Sequence, residues 1–258
     1  MGAVCFTAFN ALLLQVELNS NFLLLIFSVT LFTYNFQRLV KMNFSHFASI
    51  SGGRLQWMEK HLTIVYVLSI LALGLTIFEG SNYVLKIWPL LLVISSFSFF
   101  YVWKIPFFKK NIRDIPYIKL YVLAITWVLA TCVLPFYLFG KKEDWNWNDW
   151  LILLGSLFFM IGIIIPFDMR DVELDHPSHK TIPQLLGLKK ARNLTLIFWF
   201  FGHVFWSIGA NKFEINILAH AIFGAFVLWN CHKNKPELYF SGGVDVLLIT
   251  VYLAIGLF

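Results

Sequence analysis

Trp150-Leu-Ile-Leu-Leu-Gly-Ser-Leu-Phe-Phe-Met-Ile-Gly-Ile-Ile-Ile-Pro-Phe-Asp168-Met-Arg170-Asp171-Val-Glu-Leu-Asp175 joins an uncharged apolar run to a cluster of carboxylates. A bilayer core of about 30 Å asks for roughly 20 apolar residues in helical form, and the run supplies them. It lacks the period-two alternation of a membrane strand, so it reads as a helix rather than a barrel strand. Asp168, Asp171 and Asp175 follow at i, i+3 and i+7. If the helix continues, they share one face. Like charges on one face repel, and a bound cation removes that cost. Hard oxygen ligands suit Mg²⁺, which keeps several waters and binds through one or two carboxylates plus substrate phosphate. The other reading is a solvated acidic loop at the end of a membrane helix.

The rest of the chain has the same character. Its 258 residues are 59% hydrophobic and 13% charged, too little polar surface for a soluble domain. A single integral-membrane domain over 1–258 is expected, all-α, because in lipid the backbone must satisfy itself. Nine helices are read at 3–17, 20–40, 61–80, 84–103, 117–139, 148–167, 189–211, 214–231 and 242–258. Trp57 and Met58, between Arg54 and Lys60, suggest a short interfacial helix within Asn43–Glu59. Cys5, Cys132 and Cys231 are far apart and form no CxxC, so neither disulfide nor zinc is expected.

The net charge of +6 sits in short loops between apolar runs. That placement points to topology and anionic lipid, not nucleic acid. Sixteen of the twenty basic residues fall on one side of the nine-helix arrangement. The positive-inside rule makes that side cytoplasmic, with the N-terminus inside and the C-terminus outside. A bacterial plasma membrane is the expected location. Trp145, Trp147 and Trp150 lie at the opposite interface, as an aromatic belt would.

The acidic segment also carries a resemblance. Arg170-Asp171-Val-Glu-Leu-Asp175, then Lys180-Thr181-Ile182-Pro183 and Leu185-Leu186-Gly187, resembles the second aspartate-rich motif of the UbiA-like intramembrane prenyltransferases. That family's pattern there is close to R-D-x-E-x-D, a short spacer, K-T-x-P and a Leu-Gly pair. The resemblance implies a nine-helix bundle with both aspartate-rich motifs facing the cytoplasm. It also implies transfer of a prenyl group from a prenyl diphosphate to an aromatic or other lipophilic acceptor, such as a quinone precursor. Mg²⁺ would bridge carboxylates and diphosphate: Asp171 and Asp175 as catalytic ligands, with Asp168 a third.

The first family motif, N-D-x-x-D-x-x-x-D, is broken here. Asn35 matches, but the aspartate positions hold Phe36, Leu39 and Asn43, and Arg38 and Lys41 have appeared beside them. Asn35 would orient substrate or water. Arg38, Lys41 and Arg170 would meet the diphosphate as fixed cations in place of a metal's charge, or Arg38 and Lys41 are only positive-inside anchors. Lys109, Lys110 and Arg113 stand where the family carries basic, diphosphate-contacting residues, and Lys180 adds a further cation. A plain topogenic loop is the simpler explanation of the first three.

His203 and His220 lie within predicted helices seven and eight. Haem ligation would need them as an axial pair on facing helices; polar packing is the ordinary role. Three functions of different classes stand: a prenyltransferase, a UbiA-like isoprenoid-binding protein without turnover, and a small carrier. A carrier would be expected to show broken helices in corresponding halves, and no such repeat is visible.

Overall fold

The computed structural model describes residues 1–44, 53–105, 111–140, 145–175, 177–211 and 215–256. Every regular element among them is helical. In chain order these are α1 (Gly2–Leu13), α2 (Ser20–Phe44), α3 (Gly53–Lys60), α4 (Leu62–Gly80) and α5 (Val84–Phe100). After a 3-10 turn at Ile112–Asp114 come α6 (Ile118–Val128), a π-helical segment (Leu129–Val133) and α7 (Leu134–Phe139). Then follow α8 (Trp147–Arg170), α9 (Ile182–Leu186), α10 (Leu188–Gly209) and α11 (Ile215–Trp229). The chain closes with α12 (Glu237–Tyr239), a second π segment (Phe240–Val244) and α13 (Leu247–Gly256).

Five helical stretches are long and apolar enough to cross a membrane: Ser20–Val40, Leu62–Gly80, Ile118–Phe139, Trp147–Arg170 and Glu237–Ile255. α1, α5 and α11 are apolar but shorter. Large apolar side chains stand bare on the outside of the bundle, among them Leu85 at 88% and Phe226 at 70% exposure. Water would not tolerate so much bare apolar surface, and lipid requires it. This is an integral membrane protein.

Several boundaries differ from the sequence expectation. The first helix stops at Leu13, not 17, because Gln15 takes a positive φ of 57° and Val16 N–H turns back to the Ala11 carbonyl at 2.8 Å. The last helical stretch begins earlier, at Glu237, directly after Pro236. A short helix, α3, forms at the end of the stretch where one is expected.

Span 117–139 is not one regular helix, and Pro135 is the reason. A proline has no N–H to give and its ring crowds the carbonyl four residues back, here that of Thr131. The chain widens into the π segment before Pro135, and Asn10 Nδ2 from α1 donates to the Thr131 carbonyl at 3.4 Å. Asn10 Oδ1 accepts from Ser156 Oγ at 2.6 Å, and Trp206 Nε1 donates to the same Ser156 Oγ at 3.1 Å. One buried polar chain thus ties α1, α6–α7, α8 and α10 together.

α8 is the central helix, started by a capping box in which Asn146 and Asp149 bond each other's backbone N–H at 2.9 and 3.0 Å. It packs along α10 through glycines. A Cβ on Gly155 would lie 2.4 Å from Trp206 Cδ1, and one on Gly202 would lie 3.0 Å from the Phe159 nitrogen. Where helices have no hydrophobic drive to associate, small residues that let backbones approach are the usual means. Trp199 and Trp206 fill the space so created and are fully buried with Phe6, Phe9 and Phe159.

Candidate active site

The carboxylates expected on one helical face are arranged differently. α8 ends at Arg170, with Asp171 as its C-cap, and a turn follows in which Asp175 N–H donates to the Asp171 carbonyl at 2.8 Å. The helix does not continue to Asp175, so face-sharing does not hold for the three. The turn brings Asp175 back beside Asp168 by another route. Lys119 Nζ, from the first turn of α6, lies 2.8 Å from Asp168 Oδ1 and 2.5 Å from Asp175 Oδ2. All three are buried: Lys119 is 7% exposed, Asp168 2% and Asp175 4%. Asp168 Oδ2 is also buried and accepts no hydrogen bond from the described residues.

Neighbouring loops hold this arrangement in place. Gln184 Nε2, on α9, donates to the Asp175 carbonyl at 3.0 Å, while its Oε1 accepts from Thr181 N–H at 3.0 Å. The Lys180-Thr181-Ile182-Pro183 stretch is therefore the entry to α9, and α9 braces Asp175. His179 Nε2 lies 3.0 Å from Asp114 Oδ1, and its Nδ1 lies 3.7 Å from Asp175 Oδ1. The His179 carbonyl accepts from Tyr117 N–H at 3.2 Å; Tyr117 has a φ of 66° and leads directly into α6. The loop before α6 and the loop after α8 are thus pinned to each other around Lys119.

Asp171 has its own cation. Arg170 grips it through Nε to Oδ1 at 2.7 Å and Nη2 to Oδ2 at 2.9 Å, the two-point geometry that suits a guanidinium to a carboxylate. The guanidinium also lies 5.2 Å from the Phe167 ring centre and 5.3 Å from that of Phe240. Glu237 and Tyr34 are near enough to interact with it electrostatically. Glu237 lines a cavity of about 420 Å³ together with Asn35, Arg38, Trp57, Met58 and Leu68. Arg38 lies over the Tyr34 ring at 4.0 Å, donates to the Tyr34 hydroxyl and reaches Met58 Sδ at 3.6 Å. The cavity is amphipathic: apolar walls from α2, α3 and α4, with an amide, a guanidinium and a carboxylate set in them.

Asn35 and Arg38 therefore share one cavity, and Arg170 with Asp171 stands by another of its lining groups. Lys41 lies on α2 and Arg113 in the 3-10 turn before α6, their side chains outside the described part; Lys109 and Lys110 lie outside the described residues. Lys180 is exposed, with a φ of 48° and its Nζ 5.4 Å from the Tyr117 ring centre. Phe36, where the family motif would have its first aspartate, stacks on Phe32 at 5.8 Å and Phe99 at 6.5 Å. That position now packs α2 against α5.

Three participants were missed in the sequence: Lys119, Asp114 and Glu237. Lys119 lies inside the helix expected over 117–139, where an ionisable residue is by default functional. That was the available signal. Asp114 and Glu237 gave none.

A second polar island lies in the bundle core. His203 Nε2 and His220 Nδ1 are 3.0 Å apart, His203 Nδ1 is 2.8 Å from the Trp199 carbonyl, and His220 Nε2 is 3.2 Å from Thr250 Oγ1. The two rings bond each other and so do not form an axial haem pair.

Comparison with known proteins agrees with this architecture. Two solved structures of a UbiA homologue from Archaeoglobus fulgidus, one bound to GPP and Mg²⁺ and one to DMAPP and Mg²⁺, superpose with TM-scores of 0.58 and 0.57. Each is 18% identical to this chain; the matches cover 98% and 99% of it, and 95% and 96% of the other. No family model and no curated protein matches the sequence.

Proposed function

We propose that this chain, an all-α integral membrane protein with a UbiA-like fold, transfers a prenyl group from a prenyl diphosphate to a lipophilic acceptor within the membrane. The observation that carries the reading is the pairing of a carboxylate cluster at the end of α8 with an amphipathic cavity bearing Asn35 and Arg38. An isoprenoid tail needs apolar walls, and its diphosphate needs cations and a hard-ligand metal site at the mouth. A prenyl diphosphate is also what the Archaeoglobus fulgidus homologue holds, together with Mg²⁺.

The donor set here fits a hard divalent cation. Its atoms are carboxylate oxygens, and Asp168 Oδ2 is a buried oxygen without a partner. Asp171, the half-exposed carboxylate, and Asp168 through Oδ2 would hold Mg²⁺, while Asp175 would keep Lys119 in place. Bound there, the ion would supply positive charge to the departing pyrophosphate. The protein's own part is positioning and electrostatics. Asn35 and Arg38 would orient the diphosphate, with Arg170 and Lys180 as further cations and Lys41, Lys109, Lys110 and Arg113 as the other basic residues that the sequence offers it. The C1–O bond of the prenyl diphosphate breaks with its electron pair leaving on pyrophosphate. The acceptor's nucleophile bonds to C1 and gives up a proton. The cytoplasmic face of a bacterial plasma membrane, N-terminus inside, is the proposed setting.

The test is Mg²⁺-dependent pyrophosphate release from purified protein in lipid, offered a panel of prenyl diphosphates and quinone-precursor acceptors. Release is expected, and Asp171→Asn should reduce it by about 100-fold or more, because weakening the hold on the ion removes the charge that would stabilise the developing anion. Wild-type-like release in Asp171→Asn would remove Asp171 from the site.

A second reading, isoprenoid binding without turnover, is favoured by Phe36. The first carboxylate position is now an aromatic stack between α2 and α5. Tight, Mg²⁺-independent binding of a prenyl diphosphate with no pyrophosphate release would establish it.

A further inference from the structure

Two carboxylates from separate segments, Asp168 on α8 and Asp175 beyond its end, converge in a buried place. Left alone there, they could not both stay ionised. Lys119 resolves this by putting an ammonium between them, at 2.8 Å from one and 2.5 Å from the other. The ammonium is a compact point charge with three donors, two of which are used here. The backbone that carries it is held as well, since the α6 start is tied to the Pro177–His179 turn through Tyr117 and His179. Bridging two carboxylate oxygens is otherwise the task of a divalent ion.

We propose that Lys119 is an internal substitute for a metal ion. Its ammonium holds the position between Asp168 and Asp175 and so keeps that position from any divalent cation. The metal of the proposed reaction is then confined to Asp171 and the buried, unpartnered Oδ2 of Asp168. This deepens the prenyl-transfer reading, on which only the metal's use rests; the number of ions bound does not depend on turnover. It also makes sense of the broken first motif. With Phe36, Leu39 and Asn43 in place of aspartates and a lysine inside the second cluster, fixed cations stand in for metals at both ends of the site. Lys119 is a positioning residue: it acts through the carboxylates it holds.

The experiment counts ions without substrate. Full-length protein in lipid nanodiscs is titrated with Mn²⁺, and the free-ion signal is followed by electron paramagnetic resonance. Wild type is expected to bind at most one Mn²⁺, and Asp175→Asn should leave that number unchanged. Lys119→Met, similar in length but uncharged, should gain one Mn²⁺, and the further change Asp175→Asn should abolish the gain. Lys119→Arg should behave as wild type. A bound Mn²⁺ in wild type that disappears in Asp175→Asn overturns the proposal, as does folded Lys119→Met with no added ion. If Lys119→Met does not fold, the wild-type and Asp175→Asn comparison alone decides. Failure of the prenyl-transfer reading would look different: no pyrophosphate release from a wild-type protein whose ion count still obeys the Lys119 rule.

Discussion

Asn10 gives the clearest measure of what a single side chain contributes away from the site. It is fully buried, donates to the Thr131 carbonyl that Pro135 leaves open, and accepts from Ser156. Asn10→Ala strands the Thr131 carbonyl in the core, while the Ser156 hydroxyl keeps the Ile152 carbonyl at 3.0 Å. The expected cost is about 1–3 kcal/mol per unsatisfied group, read as a lower unfolding temperature in detergent. An unchanged midpoint would mean that the chain of polar contacts is not a stabilising one. At this scale the carboxylates were legible and their partners were not. Asp168, Asp171 and Asp175 stand out because charge is rare in so apolar a chain. Lys119 did not, because its distance from Asp175 is set by a turn at one end of α8 and by the start of α6. His203 and His220 read as isolated because only the packing of α10 on α11 joins them.

Helix pairing brings a sharper contrast. Gly155 faces Trp206, which is wholly buried and cannot retreat, so a Cβ there meets the ring at 2.4 Å. Gly155→Ala is expected to destabilise by about 1–3 kcal/mol through overpacking. Gly74, on α4, has nothing within 4 Å of where its Cβ would be. Gly74→Ala should be neutral or stabilise by roughly 0.5–1 kcal/mol, since alanine is the better helix former. Thermal unfolding of the two variants side by side checks this, and equal effects would refute the close α8–α10 contact. Periodicity and length made the helices readable, but not their interruptions. Pro135 was visible in the sequence, while the widened turn ahead of it depends on Asn10 supplying a bond from another helix.

For the whole molecule, charge distribution predicts orientation. Trp147, 74% exposed at the start of α8, should face outward, and Lys189, at the start of α10, should face the cytoplasm. Intact cells expressing Trp147→Cys should react with a membrane-impermeant maleimide, and cells expressing Lys189→Cys should not. The native Cys132 and Cys231 are buried and give little background, and the partly exposed Cys5 is changed to Ala in both variants. The opposite pattern would invert the topology. The bundle also has an internal polarity of another kind. A carbonyl only accepts, so the Trp199 carbonyl puts a proton on Nδ1 of His203. The other end of the row also meets a carbonyl, that of Leu247 at 3.3 Å from His220 Nε2, beside the Thr250 hydroxyl at 3.2 Å. Two neutral imidazoles have two protons for these three contacts, and the 2.8 Å contact at His203 is the shorter end, so His203 Nε2 accepts from His220 Nδ1–H. The bonds from His220 to His203 and from His203 to the Trp199 carbonyl then run in one sense, from α11 to α10. Neither link can be reversed alone: the two imidazoles share one sense of direction, and they must keep it or lose it together.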